Sequence, residues 1–270
     1  MTMPFRFGLV AMPQPGSDWL GLARRVEALG FDSLLVPDNL AGTSPVAACA
    51  AAAADTAHLT IGPYVIATPL RNPGLVASDA AALHQLTGGR VEMGLGAGRP
   101  DSRAEAEQLG IRFGTPAERV THLERTIDAV RQRTPETPVT VAASGPRMLA
   151  LAGRRADNVA LGASPFADEA ELARLGRLVL DAAGERASRV RLNVNLTAVG
   201  DDVPPWLEHR MGVTAEKLVS AGSATFLRGT PEEMAETLLR RRDATGISYV
   251  CASADNGERL APVVDLLRGR

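Results

Sequence analysis

The chain has 270 residues, 45% of them apolar, and a net charge of −2 at pH 7. This length and composition favour one large α/β domain over residues 1–270. A near-neutral chain without a basic run excludes a nucleic-acid surface, which needs clustered positive charge. Two distant cysteines, Cys49 and Cys251, indicate neither a disulfide framework nor a metal knuckle. We therefore expect a cytoplasmic protein, and no stretch approaches the 18 consecutive apolar residues of a membrane span.

Short β-like runs alternate with amphipathic helical stretches along the chain. The predicted strands are 5–10, 33–36, 60–66, 91–95, 139–142, 158–161, 191–198 and 248–251. The predicted helices are 18–29, 44–56, 73–86, 116–132, 146–156, 167–183, 231–245 and 258–268. Eight βα units at this length favour a (β/α)₈ TIM barrel over a doubly wound sheet. Residues 199–230 do not fit the repeat, so we predict an insertion after strand 7 that overhangs the barrel mouth.

In such a barrel the functional residues follow the carboxyl ends of the strands. Asp38 ends the second strand, where it could be a polar anchor or base at the mouth, or else a helix cap or turn aspartate. The tract Ser144-Gly145-Pro146-Arg147 follows the fifth strand and opens a helix. Its free backbone N–H groups and the helix dipole could hold a phosphate, although an ordinary βα turn has the same sequence features.

The stretch VEMGLGAGRP, residues 91–100, carries three glycines at alternate positions. It fails the dinucleotide fingerprint G-x-G-x-x-G, because the positions that need the third glycine hold Arg99 and Asp101. Strand alternation places Glu92, Gly94 and Gly96 on the face toward the barrel interior. The glycines then either admit a ligand to the backbone or relieve crowding inside the barrel.

Other catalytic chemistries find no support in the sequence. The four histidines lack metal-ligand spacing, so no metal site is expected. No G-x-S-x-G elbow occurs and neither cysteine has a recognisable partner, which leaves covalent acyl transfer unsupported.

Three tracts together resemble the luciferase-like flavin and deazaflavin oxidoreductases. They are LARRVEALGFDSLLVPDNL (22–40), LTIGPYVIATPLRNPGLVASDAAALHQLTGGRVEMGLGAG (59–98) and VTVAASGPRMLALAGRRADNVALG (139–162). The later piece FLRGTPEEMAETLLRRRDATGISYV (226–250) resembles the closing helix and strand of the same family. The similarity spans nearly the whole chain. In its short length and its C-terminal pattern, the chain most resembles the branch of the family that uses coenzyme F420.

The resemblance implies a bacterial-luciferase-like barrel, a homodimer, and a deazaflavin ring lying across the mouth. It also implies a cis peptide bond between Tyr64 and Val65, behind the ring, and a phosphate cradle at Ser144 and Gly145. Arg147 is a weaker candidate for the cofactor's anionic tail. The implied cofactor-binding set is Tyr64, Val65, Gly96, Ala97, Gly98, Ser144, Gly145 and Arg147.

The chain departs from the family pattern at two positions. Relatives commonly place Asp-His after the second strand, whereas this chain has Asp38-Asn39, and asparagine cannot deliver a proton near neutrality. Some deazaflavin members carry Glu after the glycine turn, where this chain has Arg99, which stays charged and could hold an anion. Asp38, Asn39 and Arg99 are nevertheless the expected polar groups at the reacting centre.

These observations predict an oxidoreductase that transfers a hydride between F420 and a small organic substrate. One alternative is an FMN-dependent luciferase-like monooxygenase, which would use the same barrel. A second alternative is a flavin- or deazaflavin-binding protein without catalysis, which the loss of both expected proton donors favours.

Overall fold

The computed structural model describes residues 3–270, with every side chain except that of Arg210. Its strands are β1 Arg6–Val10, β2 Ser33–Val36, β3 Thr60–Pro63, β4 Ile66–Ala67, β5 Met93–Gly96, β6 Val139–Ala143, β7 Asn158–Leu161, β8 Arg191–Leu196, β9 Ala198–Val199, β10 Phe226–Leu227 and β11 Ile247–Ser253. Nine of them form one parallel sheet in the order β3-β2-β1-β11-β8-β7-β6-β5-β4. A bridge between Ile61 and Val91 joins its two edges. The expected (β/α)₈ barrel is confirmed.

The helices of the described residues are α1 Trp19–Ala28, α2 Pro45–Ala54, α3 Pro73–Thr87, α4 Ser102–Gln108, α5 Pro116–Arg133, α6 Pro146–Arg155, α7 Glu169–Ala183, α8 Pro205–Met211, α9 Ala215–Ser220, α10 Pro231–Thr245 and α11 Gly257–Leu267. Eight of them bury their apolar faces against the large sheet, whereas α4, α8 and α9 pack in smaller separate clusters. Side-chain caps fix several starts: Asp18 accepts from Gly21 N–H, and Thr230 forms a capping box with Glu233. The eight predicted helices are all present, with ends within two residues of those expected.

The structure corrects three predicted strands. The run 60–66 is divided into β3 and β4 by the segment Tyr64–Val65, and 191–198 is divided into β8 and β9. The run 91–95 becomes Met93–Gly96, because Val91 makes only the isolated bridge that joins the sheet edges. Apolar patterning locates each strand, but interruptions depend on pairing with distant neighbours.

Two regions are added to the βα repeat, and each follows the carboxyl end of a strand. Helix α4 was not predicted; it lies in the segment between β5 and α5 and packs Ala106 against Leu70 and Phe113. The expected insertion contains β9, α8, α9 and β10, with β9 and β10 paired as a separate two-stranded sheet. A small apolar cluster that includes Leu207 and Phe226 gives the insertion its own core.

A buried polar network fills the barrel interior. Arg6 donates to Glu92 at 2.7 Å, and the Tyr249 hydroxyl donates to the other Glu92 oxygen at 2.9 Å. Asn158 approaches the same carboxylate at 3.4 Å. Because the Glu92 side chain is only 1% exposed, these partners satisfy a charge that would otherwise be costly to bury. They form a fixed polar floor within the barrel.

Candidate active site

The segment between β3 and β4 lies against the β5 glycines. The Tyr64–Val65 peptide bond is cis, as the resemblance implies. A Cβ at Gly94 would lie 2.1 Å from the Pro63 carbonyl oxygen, and one at Gly96 would lie 2.8 Å from a Val65 methyl group. Glycine is therefore required on β5 because the neighbouring segment occupies the side-chain space. Between the two explanations of these glycines, the contacts support crowding at Gly94 and Gly96.

Tyr64 has a half-buried ring and an anchored hydroxyl group. Its Oη donates to Asn193 Oδ1 at 2.5 Å, and the Asn193 amide donates to the Tyr249 carbonyl and to Cys251 Sγ. Burial raises the pKa of Tyr64 well above its usual value. The phenol stays protonated and hydrogen-bonded inside the barrel, so it is a poor candidate for proton transfer at the mouth.

Asp38 follows β2 and binds the segment beyond β4. Arg71 donates from Nη2 to Oδ1 at 2.6 Å and from Nε to Oδ2 at 3.2 Å. The Ala67 N–H also donates to Oδ2, at 3.1 Å. The Asp38 side chain is only 4% exposed, and both its oxygens are engaged. These contacts fit the anchor among the sequence alternatives and do not leave a free base.

Asn39 and Arg99 are both exposed. Asn39 Oδ1 accepts the Ala41 N–H at 2.9 Å, which leaves its amide NH₂ group available as a donor. Arg99 Nε lies 3.2 Å from Asp101 Oδ1, and the Arg99 side chain is 78% exposed. The structure therefore leaves Arg99 in solvent beside a carboxylate, where a bound anion would have to compete with Asp101.

A second arginine holds the turn after β5. Arg119 Nε donates to the Ala97 carbonyl at 3.0 Å and Nη1 donates to the Gly114 carbonyl at 3.2 Å. Gly98 has a positive φ of 74°, and a Cβ there would lie 3.2 Å from the Phe113 ring. The turn at residues 97–98 is thus fixed by the loop that leads into α5.

The tract after β6 is open. Gly145 is the N-cap of α6, no side chain caps this helix, and a Cβ at Gly145 would meet nothing within 4 Å. Ser144 and Arg147 are exposed, and within residues 3–270 their side chains make no hydrogen bond or ion pair. An uncapped helix start with a free hydroxyl group and a free guanidinium suits a phosphate group.

Strand neighbours bring these parts together. Ile66 pairs with Leu95, and Met93 pairs with Val139, so β4, β5 and β6 are adjacent. Val65 comes directly before β4, the turn at residues 97–98 follows β5, and the uncapped start of α6 follows β6, so the three features belong to adjacent strands. Of the described helices, none is long and apolar enough to cross a membrane. No cluster of three His, Cys, Asp or Glu side chains suited to a metal ion occurs in residues 3–270.

A sequence model of the luciferase-like monooxygenase family matches residues 2–205. The chain belongs to this family. It is 34% identical over 171 residues to an F420-dependent glucose-6-phosphate dehydrogenase of Beutenbergia cavernae, covering 52% of this chain and 51% of the relative. The chain spans about half the length of the curated family relatives it matches.

Solved structures of distant sequence share the fold of this chain. An F420-dependent secondary alcohol dehydrogenase in complex with an F420-acetone adduct has a TM-score of 0.76 at 20% identity, covering 98% of each chain. The FMN-bound oxygenating constituent of a 3,6-diketocamphane monooxygenase from Pseudomonas putida has a TM-score of 0.73 at 18% identity, covering 99% of this chain and 98% of that chain. The family fold therefore accompanies both cofactors.

Sequence reasoning missed the residues that hold the mouth in place. Arg71 and Arg119 were not identified, although Arg71 begins the sequence Arg71-Asn72-Pro73 within the quoted tract 59–98. Asn193 and Asn195 alternate along β8, and this polar pair in an otherwise buried strand was a usable signal. No sequence pattern links Arg119 to Ala97, because that contact depends on how the loop folds back.

Proposed function

We propose that this protein is an oxidoreductase that transfers a hydride between F420 and a small organic substrate. The observation that carries the proposal is the adjacency of three features: an apolar platform, a tight turn and an uncapped helix start. The F420-dependent relative supports this choice of cofactor. When bound, F420 would supply the hydride chemistry, and the protein would supply position and electrostatics.

The residues fit the group at both of its ends. The Val65 side chain, which occupies the space beside Gly94 and Gly96, and the Tyr64 ring offer an apolar backing for a planar ring. Ser144 Oγ and the backbone at Gly145 offer donors for a phosphate, with Arg147 nearby for further negative charge. Gly96, Ala97 and Gly98 would border the ring edge.

The polar residues take different roles in this proposal. Asn39 would donate its free amide N–H to the substrate or the ring. Arg99 would exchange its contact with Asp101 for one with an anionic group of the substrate. Asp38 would act through the backbone, by fixing residues 67–71, rather than by touching the reacting atoms. A proton required by the reaction would then come from water.

An FMN-dependent monooxygenase is the second candidate, favoured by the FMN-bound neighbour and by a monooxygenase relative that is 33% identical over 127 residues. Titration of the protein with F420 and with FMN, followed by fluorescence quenching, separates the two. Tight FMN binding with no response to F420 would contradict the preferred function. F420 binding without reduction or oxidation of any substrate in a panel of alcohols, aldehydes and enones would support the non-catalytic alternative.

A homodimer is also proposed, from the outer face of α2 and α3. Helix α2 has alanine or another small apolar residue on every face, yet Ala51 and Ala54 are exposed. On the neighbouring α3, Leu75 and Leu86 are 66% and 72% exposed. A helix that is apolar all round is usually covered on both sides, and a second copy related by a two-fold axis supplies a matching surface.

Light scattering tests the proposed dimer. It should give twice the chain mass for the parent and one chain mass for Ala51→Arg; a monomeric parent would refute the dimer.

A further inference from the structure

A groove of about 440 Å³ lies beside the barrel mouth, between the start of α3 and the loop that leads into α5. Its floor is apolar and includes Leu70, Ile111 and Phe113. A Cβ at Gly98 would contact Phe113 and Pro69, so the groove lies behind the turn after β5. None of the residues proposed to hold the cofactor lines this groove.

Three guanidinium groups line this groove, and two of them are neutralised. Arg71 is paired with Asp38, and Arg112 Nη2 donates to Glu118 Oε1 at 2.8 Å. Arg119 has no carboxylate partner within residues 3–270. Among the guanidinium groups that line the groove, Arg119 is therefore the one without a carboxylate partner in the described part of the chain.

The contacts of Arg119 hold its guanidinium without neutralising it. Two backbone carbonyls accept from Nε and Nη1, and the Phe113 ring lies 4.4 Å from the Arg119 guanidinium carbon. No described residue accepts from Nη2. These contacts involve no carboxylate, so no negative charge offsets the guanidinium. Because the side chain is already ordered, binding a ligand costs little further conformational entropy, and Nη2 still offers hydrogen-bond donors.

We propose that this groove binds a small organic carboxylate with an apolar body. The carboxylate accepts from Arg119 at the rim, and the apolar body packs on the exposed Ile111 and on the small accessible parts of Leu70 and Phe113. The volume lies within the range of small-molecule sites, and the apolar floor excludes a fully hydrated ion such as free phosphate. A cation is repelled by the arginine, and a neutral molecule leaves its charge uncompensated. The proposal needs no bound cofactor, so it stands or falls independently of the proposed function.

Isoleucine labelling provides a direct test on the cofactor-free protein. The chain has five isoleucines, at positions 61, 66, 111, 127 and 247, and Ile111 lies in the groove. Titration with phenylacetate should shift the Ile111 methyl resonance in a saturable way and leave that of Ile247, buried in β11, unchanged. The uncharged isostere phenylacetamide should bind at least about tenfold more weakly, and 2-phenylethylamine should not bind. Equal affinity for the acid and the amide would overturn the proposal.

Three substitutions test whether Arg119 supplies the positive charge that binds the carboxylate. Arg119→Gln should weaken phenylacetate binding by about tenfold, whereas Arg125→Gln, exposed on the same helix, should leave the affinity unchanged. Arg112→Gln, at a side chain that is 76% exposed, keeps the backbone contacts of Arg119 and should weaken binding about threefold by freeing Glu118. Unchanged affinity in Arg119→Gln, or an equal loss in Arg125→Gln, would refute the assignment.

Discussion

The pair Asp38 and Arg71 makes the most specific prediction about how the mouth is held. The Asp38 carboxylate is 4% exposed and accepts two hydrogen bonds from Arg71 and one from Ala67 N–H. Arg71→Met leaves that carboxylate buried with one donor, which should lower the free energy of unfolding by about 3 kcal/mol. Asp38→Asn keeps an oxygen for Ala67 and should cost about 1.5 kcal/mol.

A double-mutant cycle measured by urea unfolding separates the pair from its surroundings. Because the two side chains bind each other, the double variant should be no less stable than Arg71→Met, which gives a coupling of about 1.5 kcal/mol. The surface pair Arg24 and Asp55, 55% and 34% exposed, is the matched control and should couple by less than about 1 kcal/mol. Additive losses at Asp38 and Arg71, to within about 0.5 kcal/mol, would refute the anchor.

Cofactor affinity distinguishes an anchor of the mouth from a general stabilising contact. Because Asp38 and Arg71 fix residues 67–71 next to Val65, folded Arg71→Met should bind F420 at least about tenfold more weakly, while folded Arg24→Met should bind it normally. A loss of stability without any loss of affinity would limit the pair to a structural role.

Two further predictions concern the glycines and the start of α5. Gly94→Ala places a methyl group 2.1 Å from the Pro63 carbonyl oxygen and should lower the free energy of unfolding by about 2 kcal/mol. Gly145→Ala places its methyl group in open space and should cost less than about 1 kcal/mol, through the poorer N-cap alone; equal effects in thermal unfolding would contradict the crowding explanation. The Thr115 backbone N–H, with a neighbouring guanidinium, lowers the pKa of Glu118 from 4.5 to about 2. The stabilising contribution of Glu118 is therefore full above pH 4.5 and lost as the pH falls through about 2, so the melting-temperature advantage of the parent over Glu118→Gln should disappear between these values. An advantage as large at pH 2 as at pH 5 would contradict this assignment.

The sequence predicts the repeat well because apolar periodicity is a local property. The position of each βα unit follows from the alternation of strand-like and helical runs and from caps such as Thr230, which act within a few residues, although the bounds of three strands do not. Helix α4 was missed because its seven residues carry no side-chain cap and follow an irregular turn. The division of the third predicted strand could be placed only through the family resemblance.

The site was predicted in position but not in contacts. Asp38 is bound by Arg71, 33 residues later in the chain, and the sequence does not show that the two meet. The placement of Arg99 in solvent likewise depends on the fold of the loop around α4. Such pairs are set by loop geometry, which periodicity does not encode. Ser144 and Gly145 could be identified because an open helix start is visible in a strand-Gly-Pro tract.

F420 affinity at the start of α6 tests the central claim most directly. Gly145→Asp adds a capping carboxylate where the phosphate is proposed to lie, and Gly145→Asn adds a neutral cap of the same shape. Both caps should preserve or slightly raise the melting temperature. Fluorescence titration should show tight F420 binding by the parent, an affinity at least about a hundredfold weaker for Gly145→Asp, and a smaller loss for Gly145→Asn. Unchanged F420 affinity in stable Gly145→Asp would contradict the proposed cofactor site.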